Sequence, residues 1–211
     1  MEIIPAIIPQ SLEDMEEKLS LVRGVVPFAQ IDFTDGKFTP EKSWPYKDGQ
    51  SEEFKKISVD KCLPFCEDIN FEADLMIENP ETQIEDFIYA GFGRLVIHLE
   101  STNKMDSIIN LAREFNVEVG IAINIDTPNE VLEEYIEKID FVQFMGIRNI
   151  GFQGEKFDGT VINKISSLRQ KHSNIIISVD GGVDFKNATH LLSAGADRLI
   201  SGSALFKSDS I

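Results

Sequence analysis

Short β-rich apolar runs alternate with longer amphipathic stretches along the whole chain, and this alternation limits the fold more than any single motif does. The strand candidates are 3–7, 28–33, 69–77, 94–99, 118–124, 141–145, 175–179 and 197–200. The helix candidates are 11–22, 80–90, 105–115, 128–138, 159–171 and 185–194. Ser11, Asn79 ahead of Pro80, and Thr127 ahead of Pro128 are helix-start signals. Gly91 and Gly195 follow the last periodic residues of their helices, where a left-handed cap is wanted. Eight β runs separated by helices within 211 residues predict an α/β fold, a parallel (β/α)8 TIM barrel forming one domain over 1–211. An open doubly wound sheet is the alternative, but it requires a glycine-rich turn after the first strand. Here that strand runs into Pro5-Ala6-Ile7-Ile8-Pro9-Gln10. The segment 37–68 contains Pro40, Pro45, Gly49 and Pro64, which leaves room for a short helix around 52–57. Only eight residues follow Ser203, so the eighth helix is expected as a stub or not at all.

Charge narrows the partners. Lys plus Arg is 20 against 36 Asp plus Glu, a net charge of −16, which disfavours general nucleic-acid binding because that rests on phosphate neutralisation. No apolar run reaches the roughly 18 residues of a membrane helix, so no membrane association is expected. Met1-Glu2-Ile3-Ile4-Pro5 lacks a basic n-region, and cysteines are sparse; the expected location is cytoplasmic, with the chain as a homo-oligomer. Cys62 and Cys66 are expected as two small unbridged apolar side chains, because a reducing compartment disfavours disulfides.

In a barrel of this kind the working residues sit at the C-terminal strand ends. Strand two ends in Gln30-Ile31-Asp32-Phe33-Thr34, with Gln30, Asp32 and Thr34 on one face. Strand three places Glu72, Asp74 and Met76 on one face; strand four ends at His98, five at Asn124 and six at Met145. Asp180-Gly181-Gly182 closes strand seven, and Ser201-Gly202-Ser203 closes strand eight. Each aspartate alone reads as a turn cap. Acidic residues at three strand ends together crowd like charges, which calls for raised pKa values, a cation, or both. The glycine turns at Gly181, Gly182, Gly202 and Ser203 predict a phosphate cradle of backbone amides. The loop Gly151-Phe152-Gln153-Gly154-Glu155-Lys156-Phe157 is expected to close over it.

Asp32-Phe33-Thr34-Asp35-Gly36-Lys37-Phe38-Thr39-Pro40 resembles the aspartate-rich signature of ribulose-phosphate 3-epimerases. Asp74-Leu75-Met76, Gly120 through Asn124, the loop 151–157, Asp180-Gly181-Gly182-Val183 and the tail from Ala194 to Phe206 are similar to that family in the same order. The resemblance implies a barrel enzyme that inverts the carbon beside the ketone of a pentulose 5-phosphate. It implies Asp32 and Asp180 as base and acid on opposite faces of a small phosphorylated sugar, with Met76, Met145 and His98 in the pocket. In that family the two aspartates also bind a divalent metal together with two histidines. Those histidine positions hold Gln30 and Asp74 here, the first-strand serine is Ala6, and one pocket methionine is Thr34.

The implied metal ligands are therefore Gln30, Asp32, Asp74 and Asp180. An oxygen-only set favours Mg²⁺ or Mn²⁺ over Zn²⁺; the other reading is a site without metal. Two competing functions stand beside the epimerase: a non-catalytic or altered-specificity sugar-phosphate binder, and a related barrel lyase. Such lyases carry a lysine in the third-strand motif, which here reads Glu72-Ala73-Asp74-Leu75-Met76.

Overall fold

Eight parallel strands close on themselves in chain order, β1 (Glu2–Ile7), β2 (Phe28–Thr34), β3 (Asn70–Met76), β4 (Arg94–His98), β5 (Glu118–Ile123), β6 (Phe141–Met145), β7 (Ile176–Asp180) and β8 (Arg198–Ser201). The computed structural model describes residues 1–47, 49–60 and 62–207. The helices are α1 (Leu12–Val22), α2 (Ser51–Asp60), α3 (Ile84–Tyr89), α4 (Met105–Glu114), α5 (Val161–Lys171), α6 (Ala188–Ala194) and α7 (Ser203–Phe206). The predicted barrel is present, and α7 is the expected stub. Among the described residues no helix is long and apolar enough to cross a membrane.

Two helix expectations change. The stretch 128–138 forms only a 3-10 turn, Asn129–Leu132, and continues as turns joined by short-range bonds such as Glu133 N–H to Glu130 O and Tyr135 N–H to Leu132 O. Glu130, Glu133, Glu134 and Glu137 would repel at three- and four-residue spacing on an α-helix. The stretch 80–90 divides into a 3-10 turn, Pro80–Thr82, and α3, broken where Gln83 leaves helical geometry at φ −132°. The cysteine expectation is also corrected. Cys62 and Cys66 form a disulfide, because turns such as Cys66 N–H to Leu63 O bring their Cα atoms to 5.8 Å.

Alternation along each strand separates two environments. Outward side chains pack against the helices in the main core. Phe33, beside Asp32, is one of them: its ring meets Phe87 at 4.8 Å and Phe92 at 5.6 Å, both edge-on, and tilts against Trp44 at 6.3 Å. Such pairs contribute about 0.5–1.5 kcal/mol each beyond burial, and they pin the strand that carries Asp32.

Inside the barrel the apolar content shrinks to two small clusters, Ile4–Ala6–Ile200 and Val96–Ala122–Phe141. The rest is polar. Register explains its layout, because successive hydrogen-bonded partners descend from mouth to floor: His98 pairs with Ala122, Ala122 with Gln143, Gln143 with Ser178, Ser178 with Arg198 and Arg198 with Glu2. The floor is an ionic plug. Arg94 meets Glu118 at 3.0 Å and Glu2 at 3.5 Å, and Arg198 meets Glu2 at 3.1 Å. Arg94 also stacks over Phe28 at 3.6 Å and Arg198 over Phe141 at 4.9 Å.

Phe141 fits inside the barrel because Gly120 faces it: a Cβ there would lie 2.2 Å from the ring. Gly120→Ala is therefore expected to destabilise the fold by about 1–3 kcal/mol, the usual range for overpacking. A urea-unfolding midpoint equal to that of the parent would refute this.

Candidate active site

The mouth of the barrel gathers the predicted carboxylates. Asp32 and Asp74 are direct register partners on β2 and β3, and Asp180 ends β7 opposite them. One oxygen from each of Asp32, Asp74 and Asp180 lies within 4.8 Å of the others, and all three side chains are buried. Like charges at about 4 Å repel by roughly 4 kcal/mol per pair at an effective dielectric of 20, so the cluster needs partners.

Three N–H-bearing side chains supply them. Gln30 Nε2 donates to Asp32 Oδ1 at 2.7 Å and to Asp180 Oδ2 at 3.2 Å. Gln143 Nε2 donates to Asp74 Oδ2 at 2.9 Å, and His98 Nε2 lies 3.0 Å from Asp74 Oδ1. Asp74 thus has a nitrogen on each oxygen. Burial pulls the His98 imidazolium toward neutrality, but the Asp74 carboxylate outweighs it and the net shift is upward. Burial raises Asp180 to about 7, assisted by the charge of Asp74. Asp32 is pushed well above the usual carboxylate range by burial and then by Asp180 and Asp74. One level down, burial raises Glu72 to about 8 although Arg94 and Arg198 pull it back.

A divalent ion fits part of this set. The three carboxylates share one small volume and offer hard oxygen donors, as Mg²⁺ or Mn²⁺ prefers. Gln30, expected as a fourth oxygen donor, enters the cluster through its nitrogen, and its Oε1 is buried without a partner.

Above the carboxylates lies a cavity of about 280 Å³. It is lined by Asp32, Asp180, Met76 and Met145, by Gly181, Gly182, Gly202 and Ser203, and by Gly151, Phe152, Gln153 and Gly154 of the loop. Gln30, Asp74 and His98 are fully buried beneath it. Among the described residues, no turn or loop hydrogen bond uses the amide of Gly182, Gly202 or Ser203 as donor. Gly182 is at φ +67°, and a Cβ on it would fall 2.9 Å from the Phe157 backbone. The loop packs that closely over the glycine turn. Gln153 extends from the loop toward Gly202, its Nε2 3.4 Å from where a Cβ on that glycine would sit.

Other residues of the motifs serve structure. Asp35 caps its own loop, accepting from the Lys37 and Phe38 amides at 2.8 and 3.0 Å and from the Glu78 amide at 2.9 Å. Sequence reasoning missed Gln143. Its signal was available: it is the polar residue between Phe141 and Met145 on the inward face of an otherwise apolar strand. Glu155 and Asp184, which also line the cavity, were likewise not anticipated.

Comparisons with known proteins bear on the family and the fold. The model of the ribulose-phosphate 3 epimerase family matches residues 2–206. The chain is similar to a ribulose-phosphate 3-epimerase of Treponema pallidum, 32% identical over 183 residues that cover 85% of this chain and 78% of that protein. It is also similar to a ribulose-phosphate 3-epimerase of Bacillus subtilis, 29% identical with 98% and 92% covered. Among solved structures, a 3-hexulose-6-phosphate synthase from Salmonella typhimurium superposes with a TM-score of 0.70 at 17% identity, covering 100% of this chain and 92% of that one. A mutant tryptophan synthase alpha-subunit from Pyrococcus furiosus gives 0.72 at 16% identity, with 98% and 89% covered. These two likenesses concern the fold alone.

The raised carboxyl groups set a pH dependence of stability. Glu72 moves from 4.5 to about 8 and Asp180 from 3.8 to about 7, so between those values the folded chain binds more protons than the unfolded one. Their stabilisation is complete below the unfolded values and is lost as pH rises through 7 and 8, with a slope of up to about 1.4 kcal/mol per pH unit for each proton. In buffer stripped of divalent ions, urea-unfolding stability is expected to fall between pH 5 and pH 8, and Glu72→Gln to flatten that fall. A profile that rises across this window would contradict the assignment.

Proposed function

The chain belongs to the ribulose-phosphate 3-epimerase family, and from that premise we propose that it inverts C3 of a ketose phosphate, interconverting ribulose 5-phosphate and xylulose 5-phosphate. As a member of that family it is a carbohydrate epimerase, in the isomerase class. The observation that supports the finer reading is that two buried acids, Asp32 and Asp180, line one cavity together with Gly182, Gly202 and Ser203, whose amides donate no turn or loop hydrogen bond among the described residues.

Asp74 accepts from Gln143 on one oxygen and has His98 Nε2 3.0 Å from the other. Its charge and the burial of the site favour keeping a proton on the Asp32–Asp180 pair. One of these two acids, ionised, takes the C3 proton from one face of the sugar. The other, protonated, returns a proton on the opposite face of the enediolate, and the reverse reaction exchanges their roles. The amides of Gly182, Gly202 and Ser203 hold the phosphate, Gly181 shapes the turn beneath it, and Gly151, Phe152, Gln153 and Gly154 cover it. Met76 and Met145 give the sugar carbons an apolar seat. When bound, a divalent ion on Asp32, Asp74 and Asp180 supplies Lewis-acid polarisation of the ketone and offsets negative charge on its oxygen. The third-strand stretch Glu72-Ala73-Asp74-Leu75-Met76 has no lysine, which supports an epimerase over a related lyase.

Turnover of ribulose 5-phosphate in D2O is the direct test: the product is expected to carry deuterium at C3. Asp180→Asn is expected to lower kcat by about 10²–10⁴-fold, the usual contribution of a general acid–base group, with KM changed only a few-fold. Near-normal turnover by that variant would overturn the acid–base assignment. Tight binding of the sugar phosphate by the parent without exchange at C3 would instead indicate a binding protein.

A further inference from the structure

Gln30 touches both acids assigned to proton transfer. It is fully buried on β2, and its single amide nitrogen reaches Asp32 Oδ1 on its own strand and Asp180 Oδ2 on β7. Chemistry fixes which end of the amide points there. A primary amide has two N–H donors on nitrogen and only acceptor lone pairs on oxygen. Turned over, it would set a carbonyl oxygen against both carboxyl groups, and the single proton kept on the pair could satisfy only one of those two contacts. As it stands, each amide proton has a carboxylate oxygen to itself, and Oε1 faces away, buried and unpartnered.

We infer that Gln30 is a positioning residue that yokes the acid to the base. The inference rests on the reading of Asp32 and Asp180 as that pair. By engaging Oδ1 of Asp32 and Oδ2 of Asp180, the amide orients both carboxyl groups, with the Gly181 backbone amide adding a bond to Asp180. It also holds the two groups at a fixed separation against their mutual repulsion. An amide nitrogen has no lone pair free for a cation, so Gln30 competes with a bound ion for the same two carboxylate oxygens. The protein ligands of such an ion are then the three aspartates alone.

Gln30→Met keeps the length of the side chain and removes both N–H groups. For the yoke, kcat falls about 10–100-fold with KM within about threefold, and calorimetric Mn²⁺ affinity is equal to or tighter than the parent's. A tenfold or greater loss of Mn²⁺ affinity would show that Gln30 is an oxygen ligand and would overturn the inference, as would a kcat within twofold of the parent. A second measurement does not depend on that variant folding. In ¹⁵N-labelled protein free of divalent ions, Asp32→Asn is expected to shift one proton of the Gln30 side-chain amide and Asp180→Asn the other. If neither variant moves that pair, the yoke is refuted. If the parent turns over no ketose phosphate, the epimerase reading fails instead, and the Mn²⁺ and amide measurements still decide how Gln30 is used.

Discussion

Closure of the sheet between β1 and β8 is the constraint on which everything else depends. Glu2, Ile3, Ile4 and Pro5 pair with Arg198, Leu199, Ile200 and Ser201, and that seam turns a row of strands into a tube. A tube has no edge strand to protect, but it creates a lumen too narrow to hold bulk water and too long to leave empty. The lumen is therefore filled in tiers. Two arginines, three glutamates and two aromatic rings make the floor, and small apolar clusters stiffen the walls. Amides and carboxylates fill the upper part. Burying polar groups costs several kcal/mol each when they are unpaired; the closed register lets opposite strands pair the carboxylates of the upper tier, while atoms such as Ser178 Oγ and Gln143 Oε1 stay without a hydrogen-bond partner.

The carboxylate tier shows how that pairing works. Three buried acids within one small volume would repel strongly, and the molecule answers with hydrogen-bond donors from β2, β4 and β6. The answer is uneven. Asp74 has side-chain nitrogens on both oxygens, whereas Asp32 and Asp180 share the Gln30 side-chain amide, with the Gly181 backbone amide also on Asp180, and both line the cavity. The first is held by two side-chain partners, and burial raises the pKa of the other two. The division of labour among three chemically identical side chains comes from which strands face them.

Much of this was legible before any coordinates. The βα alternation gave all eight strands, because apolar runs bounded by turn residues report directly on strand burial. Asp32, Asp74 and Asp180 stood out because they end strands on the inward phase. The helix at 128–138 did not form because its glutamates repel on one face, a term that apolar spacing alone ignores. The orientation of Gln30 was hidden for a different reason. Position and family resemblance identify the residue, but which end of an amide faces inward depends on neighbours from β7, 150 residues away. Gln143 was hidden in the same way, since its partner lies across the lumen on β3.

The net charge of −16 sits oddly with a phosphorylated substrate until distance is considered. At physiological ionic strength the field of surface carboxylates is screened beyond about 8 Å. What a ligand meets inside the mouth is the nearby wall, whose turns carry Gly151, Gly154, Gly181, Gly182 and Gly202. Amide dipoles fixed by glycine turns need no counter-charge and leave the acids beneath them free of a competing lysine or arginine. A basic side chain reaching into this cavity would stabilise the ionised forms of Asp32 and Asp180 and draw both toward ordinary carboxylate behaviour. In the function proposed above, recognition by amides would keep the binding of the phosphate and the tuning of the acids electrically separate, which suits a lumen holding three aspartates.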